Sequence, residues 1–207
     1  MGTLFSIGHS NGSLDELFSL LKIARVNCVV DVRSVPASSH TPQFNKENIS
    51  RELKGRGIYY MHFGDEFGAR RNDSIVNGQV NFEKAIETPN FRKGVERIMA
   101  GIEKGFIIAL MCSEANPLSC HRFSLVSRYF YDNGLDVNHI LRSGEIKSHQ
   151  ELEQEMISKY LRMKNSKLQE VDEMFGLYSA EDQRRDAYRL KNVEIGYKPG
   201  IEFENEN

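Results

Sequence analysis

Segments of β-type and α-type patterning alternate along this chain from its first residues, and that order constrains the fold more than any single residue does. Thr3 to Ile7 is a short β-prone run closing on Gly8-His9-Ser10. Ser13-Leu14-Asp15-Glu16 has capping-box spacing, in which serine and glutamate satisfy each other's backbone amides at a helix start. Leu14, Leu17, Phe18 and Leu21 follow at one-face helical spacing. Cys28 to Arg33 is a second strand, and its nearly continuous apolar start predicts burial on both faces. The series continues with a helix around Lys46 to Gly55, a strand at Ile58 to Phe63, a helix at Phe91 to Ile102 and the apolar strand Phe106 to Cys112. Asn116-Pro117 is read as the start of the next helix, reaching Asn133, because proline is tolerated in a first turn. Val137 to Leu141 is a fifth strand. Ser148 to Glu151 is a second capping box, opening a helix that carries Leu152, Met156, Tyr160 and Met163. A short helix is expected at Asp182 to Lys191.

Alternating β and α units imply parallel strands joined by helical crossovers. Five units are too few for a closed barrel of eight, which takes about 250 residues. The expected fold is α/β: a three-layer sandwich with an open, mainly parallel five-stranded sheet, helices on both faces, and C-terminal helices. Residues 1–164 are read as the α/β domain, and 165–207 as a helical extension packed on it with a frayed end.

Charge and composition exclude several classes. With 27 basic and 29 acidic residues the net charge is −2, so nothing drives the whole chain toward nucleic acid or an anionic membrane. No apolar run approaches the roughly 20 residues that span a bilayer. Three cysteines make no disulfide framework, and a reducing, cytoplasmic setting is expected. Lys164, Lys167, Arg184, Arg185, Arg189 and Lys191 are interleaved with acids and read as surface, as do His40 and His149.

Open α/β sheets bind ligands beyond the carboxyl ends of their strands. There the sequence puts His9 and Ser10 after strand one and Asp31 and Arg33 at the end of strand two. It puts His62 at the end of strand three, Cys112 and Glu114 after strand four, and His139 in strand five. Strand alternation sets Asp31 and Arg33 on one face, either as site residues or as a structural ion pair. Cys120, His121 and Arg122 fall near a helix start, where amides and the dipole favour an anion, and arginine adds a planar fork for phosphate or carboxylate. A phosphatase-type loop needs arginine after cysteine and five residues, and that position holds Leu118. Seven residues separate Cys112 from Cys120, a poor match to the Cys-x-x-Cys of redox pairs. A zinc site from Cys112, Cys120 and His121, with His62 or His139, is chemically possible, but adjacent Cys120 and His121 at a helix start rarely aim both donors at one ion, so no metal is assigned. Gly-x-Gly-x-x-Gly and Gly-Lys-Ser/Thr phosphate fingerprints are missing. The Phe67 to Arg71 loop could contribute arginine and a stacking ring.

These motifs together resemble the DUF488 family, α/β proteins of unknown function. The resemblance rests on Ile7-Gly8-His9-Ser10, Asp31-Val32-Arg33 with Pro36, Ser38 and Pro42-Gln43-Phe44, and Tyr60 to Gly64. It extends through Met111-Cys112-Ser113-Glu114, Cys120-His121-Arg122 and His139-Ile140 to Ala187-Tyr188-Arg189. It implies a shared domain and site but supplies no reaction and no cofactor.

The leading expectation is an enzyme, a hydrolase or transferase on a small anionic or nucleotide-like ligand, with Asp31 or Glu114 as acid/base and His9 beside them. Arg33 and Arg122 would hold the anion with Ser10, His62, Cys120 and His121 around it, and Cys112 would be nucleophile or pocket wall. The alternatives are a non-catalytic module binding a nucleotide or nucleic acid, and a protein-interaction partner using the C-terminal helices.

Overall fold

A computed structural model of the protein describes residues 2–164 and 178–200. Its strands are β1 (Thr3–Gly8), β2 (Cys28–Asp31), β3 (Tyr59–His62), β4 (Ile75–Val76), β5 (Gln79–Val80), β6 (Ile108–Cys112), β7 (Asp136–Ile140) and β8 (Ile146–Ser148). The helices are α1 (Leu14–Ile23), α2 (Lys46–Gly55), α3 (Gly64–Phe67), α4 (Phe82–Ala85), α5 (Pro89–Glu103), α6 (Arg128–Asp132), α7 (His149–Lys164) and α8 (Ala180–Ile195). Both capping boxes form: Ser13 and Glu16 exchange bonds at the start of α1, and Ser148 and Glu151 do so before α7. A third, Ser179 with Asp182, starts α8, so this helix is longer than the short one expected.

The main sheet has six strands in the order β3-β2-β6-β1-β7-β8. The first five run parallel, and β8 adds an antiparallel edge to β7. This edge is the departure from the five expected strands: a tight turn at Gly144 (φ 87°) returns the chain beside β7 before α7 begins. β4 and β5 form a separate two-stranded ribbon.

Central β2 and β6 are buried along their whole length, as their apolar runs require. Their alternate residues feed two cores. Val29, Ala109 and Met111 meet Leu17, Leu21, Ile49 and Leu53 under α1 and α2. Val30, Leu110 and Cys112 meet Phe67, Phe91, Ile98 and Phe130 on the opposite face. There Gly94 lets α5 lie against α3, because an added Cβ would sit 2.8 Å from the Phe67 ring. A third cluster joins Phe123, Leu152, Met156 and Tyr160 to Tyr188 of α8.

The helix expected from Asn116 is instead three pieces: a 3₁₀ turn at Pro117–Ser119, a π-helical segment at Arg122–Ser127, and α6. π-helical turns often occur at functional sites. Lys191, expected at the surface, is only 3% exposed and pairs with Glu194; Arg184 is half-buried against Glu153 and Asp132. The side chains of Met163, Lys164 and Lys167, and the expected frayed end, lie outside the described residues. Among the described residues no helix is long and apolar enough to cross a membrane.

Candidate functional site

The topology itself creates a crevice. β1 hands the chain to α1 on one face of the sheet, its neighbour β6 hands it to the π-helical segment on the other, and between such diverging connections a gap opens beyond the strand ends. An open cleft of about 870 Å³ lies there. Its walls come from His9 and Ser10, Arg33, the Ser34–Thr41 loop, Ala69 and Arg70, Cys112 to Glu114, and His121.

Backbone pairing continues past the strands and fixes the floor. The His9 amide donates to the Cys112 carbonyl (3.0 Å) and the Ser10 amide to that of Ser113 (2.8 Å). Ser10 takes a left-handed φ of 50° as the chain turns away. Gly8 has no room for a side chain: a Cβ there would lie 1.9 Å from the Glu114 carbonyl oxygen. Gly8→Ala should therefore push the Glu114 loop off β1 at a cost of roughly 1–3 kcal/mol, the usual range for overpacking. Urea denaturation together with faster alkylation of Cys112 in the native state checks this; an unchanged alkylation rate would show that the loop had not moved.

On the α1/α2 face, Asp31 is fully buried and holds Arg33 through its backbone N–H (3.1 Å), Nε (2.9 Å) and Nη2 (2.5 Å), while Tyr60 donates its hydroxyl to the same carboxylate (2.7 Å). Arg33 Nη2 also donates to the Phe44 carbonyl. Asp31 and Arg33 are thus the structural ion pair, and Asp31 cannot reach a ligand. His9 stacks on Phe44 with centroids 4.2 Å apart. Its Nδ1 contacts the Ser10 carbonyl (2.7 Å), which can only accept, so Nδ1 carries the proton and Nε2 accepts from Arg33 Nη1 (3.0 Å). Burial, then the Arg33 charge, hold the His9 pKa down to about 4. Both ring nitrogens are engaged, so His9 orients Arg33 rather than acting as a base.

The other face contributes the thiols. Cys112 Sγ donates to Glu114 Oε2 at 3.1 Å and lies 3.9 Å from His121 Nδ1; Cys120 Sγ lies 3.8 Å from the same nitrogen. His121 Nε2 donates to the Val32 carbonyl (3.1 Å), leaving Nδ1 directed at both sulfurs. Three buried donors within 4.8 Å of one another overturn the expectation that Cys120 and His121 would aim apart. Burial opposes a Cys120 thiolate, but the Cys112 thiol, Arg122 and His121 together hold its pKa well below the ordinary value. Cys112 moves the opposite way, raised by the neighbouring Cys120 and by burial. Burial and Cys120 also raise the Glu114 carboxyl.

Several expected site residues lie elsewhere. Arg122 is fully buried, and its guanidinium donates to the Glu114 (2.6 Å) and Ala115 (3.2 Å) carbonyls, so it braces the loop instead of clamping an anion. Cys120 is buried and is not part of the cleft wall. His62 donates Nε2 to the Arg33 carbonyl (2.8 Å) and also stays out of the wall. Phe67 is a core residue and cannot stack on a base, and Arg71 is tied to Asp73 and Thr88; Arg70 alone of that loop's arginines reaches the cleft. The Ser34–Thr41 wall and the roles of Tyr60 and Phe44 went unread; the Ser-Ser-His-Thr cluster between two prolines was the available signal.

His139 lies away from the cleft, and both it and His149 have zero exposure, which corrects the surface reading of His149. They sit in a chain of contacts from Ser6 Oγ to His139 (2.6 Å), His149 (3.1 Å), Tyr188 Oη (3.0 Å) and Glu153 (2.7 Å). Tyr188 donates to the carboxylate, so His149 Nε2 donates to Tyr188, His139 Nε2 donates to His149, and Ser6 donates to His139. Both imidazoles are neutral in this arrangement.

A family model described as a domain of unknown function, DUF488, matches residues 13–129. No curated protein and no solved structure matches the chain.

Proposed function

We propose that this chain, which belongs to the DUF488 family, is an enzyme that takes a small anionic, nucleotide-like ligand into the cleft and acts on it through Glu114. One observation carries the reading: the Glu114 carboxylate meets the Cys112 thiol at 3.1 Å on the floor of an 870 Å³ cleft. Of the two carboxylates the sequence offered, Asp31 is sealed under Arg33, and Glu114 is left as acid/base. Arg70, Ser10 and the edge of Arg33 supply the polar and cationic wall suited to an anion. Cys112 forms the wall nearest the reacting carboxylate.

The test is a panel of nucleotides and nucleobases, with binding followed by calorimetry and products by mass spectrometry. Wild type should convert at least one member. Glu114→Gln should bind it with little change and turn it over about 10²–10⁴-fold more slowly, the usual contribution of a general acid or base. Undiminished turnover by the variant would remove Glu114 from the chemistry. Tight binding without product would make the chain a binding module.

A further inference from the structure

We propose that Cys112, Cys120 and His121 hold one transition-metal ion of the zinc type on the cleft floor, with Glu114 beside an open fourth position. The inference deepens the reading of Glu114 and rests on that reading for the ion's chemistry, though not for its binding.

Two edges of a tetrahedral face are already near their liganded length. Zinc–sulfur bonds of about 2.3 Å and zinc–nitrogen bonds of about 2.0–2.1 Å set sulfur and nitrogen ligands about 3.5 Å apart. Here the two sulfur–nitrogen separations are 3.9 and 3.8 Å, and all three donor atoms lie within 4.8 Å of one another. Closing the sulfur–nitrogen edges takes about 0.3–0.4 Å on this tetrahedral geometry, within reach of side-chain rotation.

The outer shell is also built. Ligating histidines almost always donate their second nitrogen to a carbonyl or carboxylate, which fixes the tautomer and turns the lone pair to the metal. His121 does this with Nε2 to the Val32 carbonyl at 3.1 Å. The Arg122 backbone N–H points to Cys120 Sγ at 3.4 Å, a donor suited to a metal-bound thiolate. Cys112 and His121 line the cleft, so an ion can enter from it. The bound form has both sulfurs as thiolates, and two thiolates neutralise a divalent charge.

Two thiolates and one imidazole leave a position free, which distinguishes catalytic from structural zinc. At an amino-substituted ring carbon, the water's oxygen would bond to the carbon while Glu114 carries its first proton to the ring nitrogen. The second proton would pass to the amino group as the C–N bond breaks, and ammonia would leave a carbonyl behind. Zinc deaminases of nucleobases use the same donor set with a non-ligating glutamate.

Reduced, chelator-stripped protein, shown by circular dichroism to be folded, is titrated with cobalt(II). A single ion should bind with thiolate-to-cobalt charge-transfer absorption, zinc should displace it, and metal should protect Cys112 of the wild type from iodoacetamide. Cys112→Ser, Cys120→Ser and His121→Asn should each weaken binding by more than the roughly 10–100-fold that losing an outer-shell partner costs. Glu114→Gln and Cys28→Ala should leave it intact. Folded wild type that gives no sulfur bands, or bands that survive loss of the thiols, would overturn the site. Loss of metal binding in Glu114→Gln would overturn the open position. Nucleotide turnover that persists in metal-free protein would defeat this inference alone; metal binding with no ligand converted across the panel would defeat the function proposed above.

Discussion

Between pH 6.5 and pH 4.5 this protein should lose stability with a slope that steepens from about 1.4 to about 2.7 kcal/mol per pH unit, as unfolding comes to take up one and then two protons. The protons go to His139 and His149. In the folded chain burial, then His149 and Arg122, hold His139 well below its ordinary value; burial, then Arg184 and Arg128, hold His149 down to about 3. Tyr188 and Glu153 close the far end of the chain, and each imidazole is already committed as one donor and one acceptor. A proton on either would set two donors against each other in a site without water access. Unfolded imidazoles protonate at about pH 6.5, so the stabilisation is complete above that value and is lost as pH falls toward the folded values. His9, held to about 4, acts in the same direction. Urea midpoints at half-unit pH steps give the slope; a flat profile from pH 7 to pH 5 would mean that the buried imidazoles are charged in the native state.

Asp31→Asn should be the most damaging single substitution at the sheet edge, costing about 3–5 kcal/mol as the loss of one partner from a buried ion pair. The carboxylate is fully buried and accepts from three nitrogens of Arg33 and from Tyr60. Asparagine keeps the size, but it removes the charge that compensates a guanidinium only 7% exposed and turns an NH₂ toward donors. At this chain length that is a fall in melting temperature of roughly 6–20 °C. Asp31→Leu combined with Arg33→Met should recover part of the loss, because apolar pairs often replace buried ion pairs without penalty, while the Tyr60 hydroxyl, His9 Nε2 and the Phe44 carbonyl lose their partners. A single-variant effect below about 1 kcal/mol would show that Arg33 reaches water or another anion.

The elements that the sequence disclosed are those decided by neighbours a few residues apart. Ser13 with Glu16 and Ser148 with Glu151 cap their helices because the partners sit three residues apart, and the apolar runs of β2 and β6 report burial on both faces whatever their order in the sheet. Alternation of these units with helices sufficed for a mainly parallel sheet, and it pointed to the carboxyl edge for the candidate site. β8 was missed because three residues carry too little periodicity, and its pairing with β7 depends on the turn at Gly144. The π-helical segment was missed because its spacing differs from an α-helix by one hydrogen-bond step.

Composition and order therefore determined the architecture and a short roster of polar residues. Their surroundings were decided by contacts that the sequence does not spell out: Arg122 donates to the loop of Glu114, Asp31 accepts from Arg33 and Tyr60, and His149 pairs with His139 and Tyr188. An ionisable side chain's exposure, protonation and partner are set by the dielectric and the donors around it in space. Strand order and crossover geometry decide those surroundings, and they brought Cys112, Cys120, His121 and Glu114 together from opposite ends of an irregular segment.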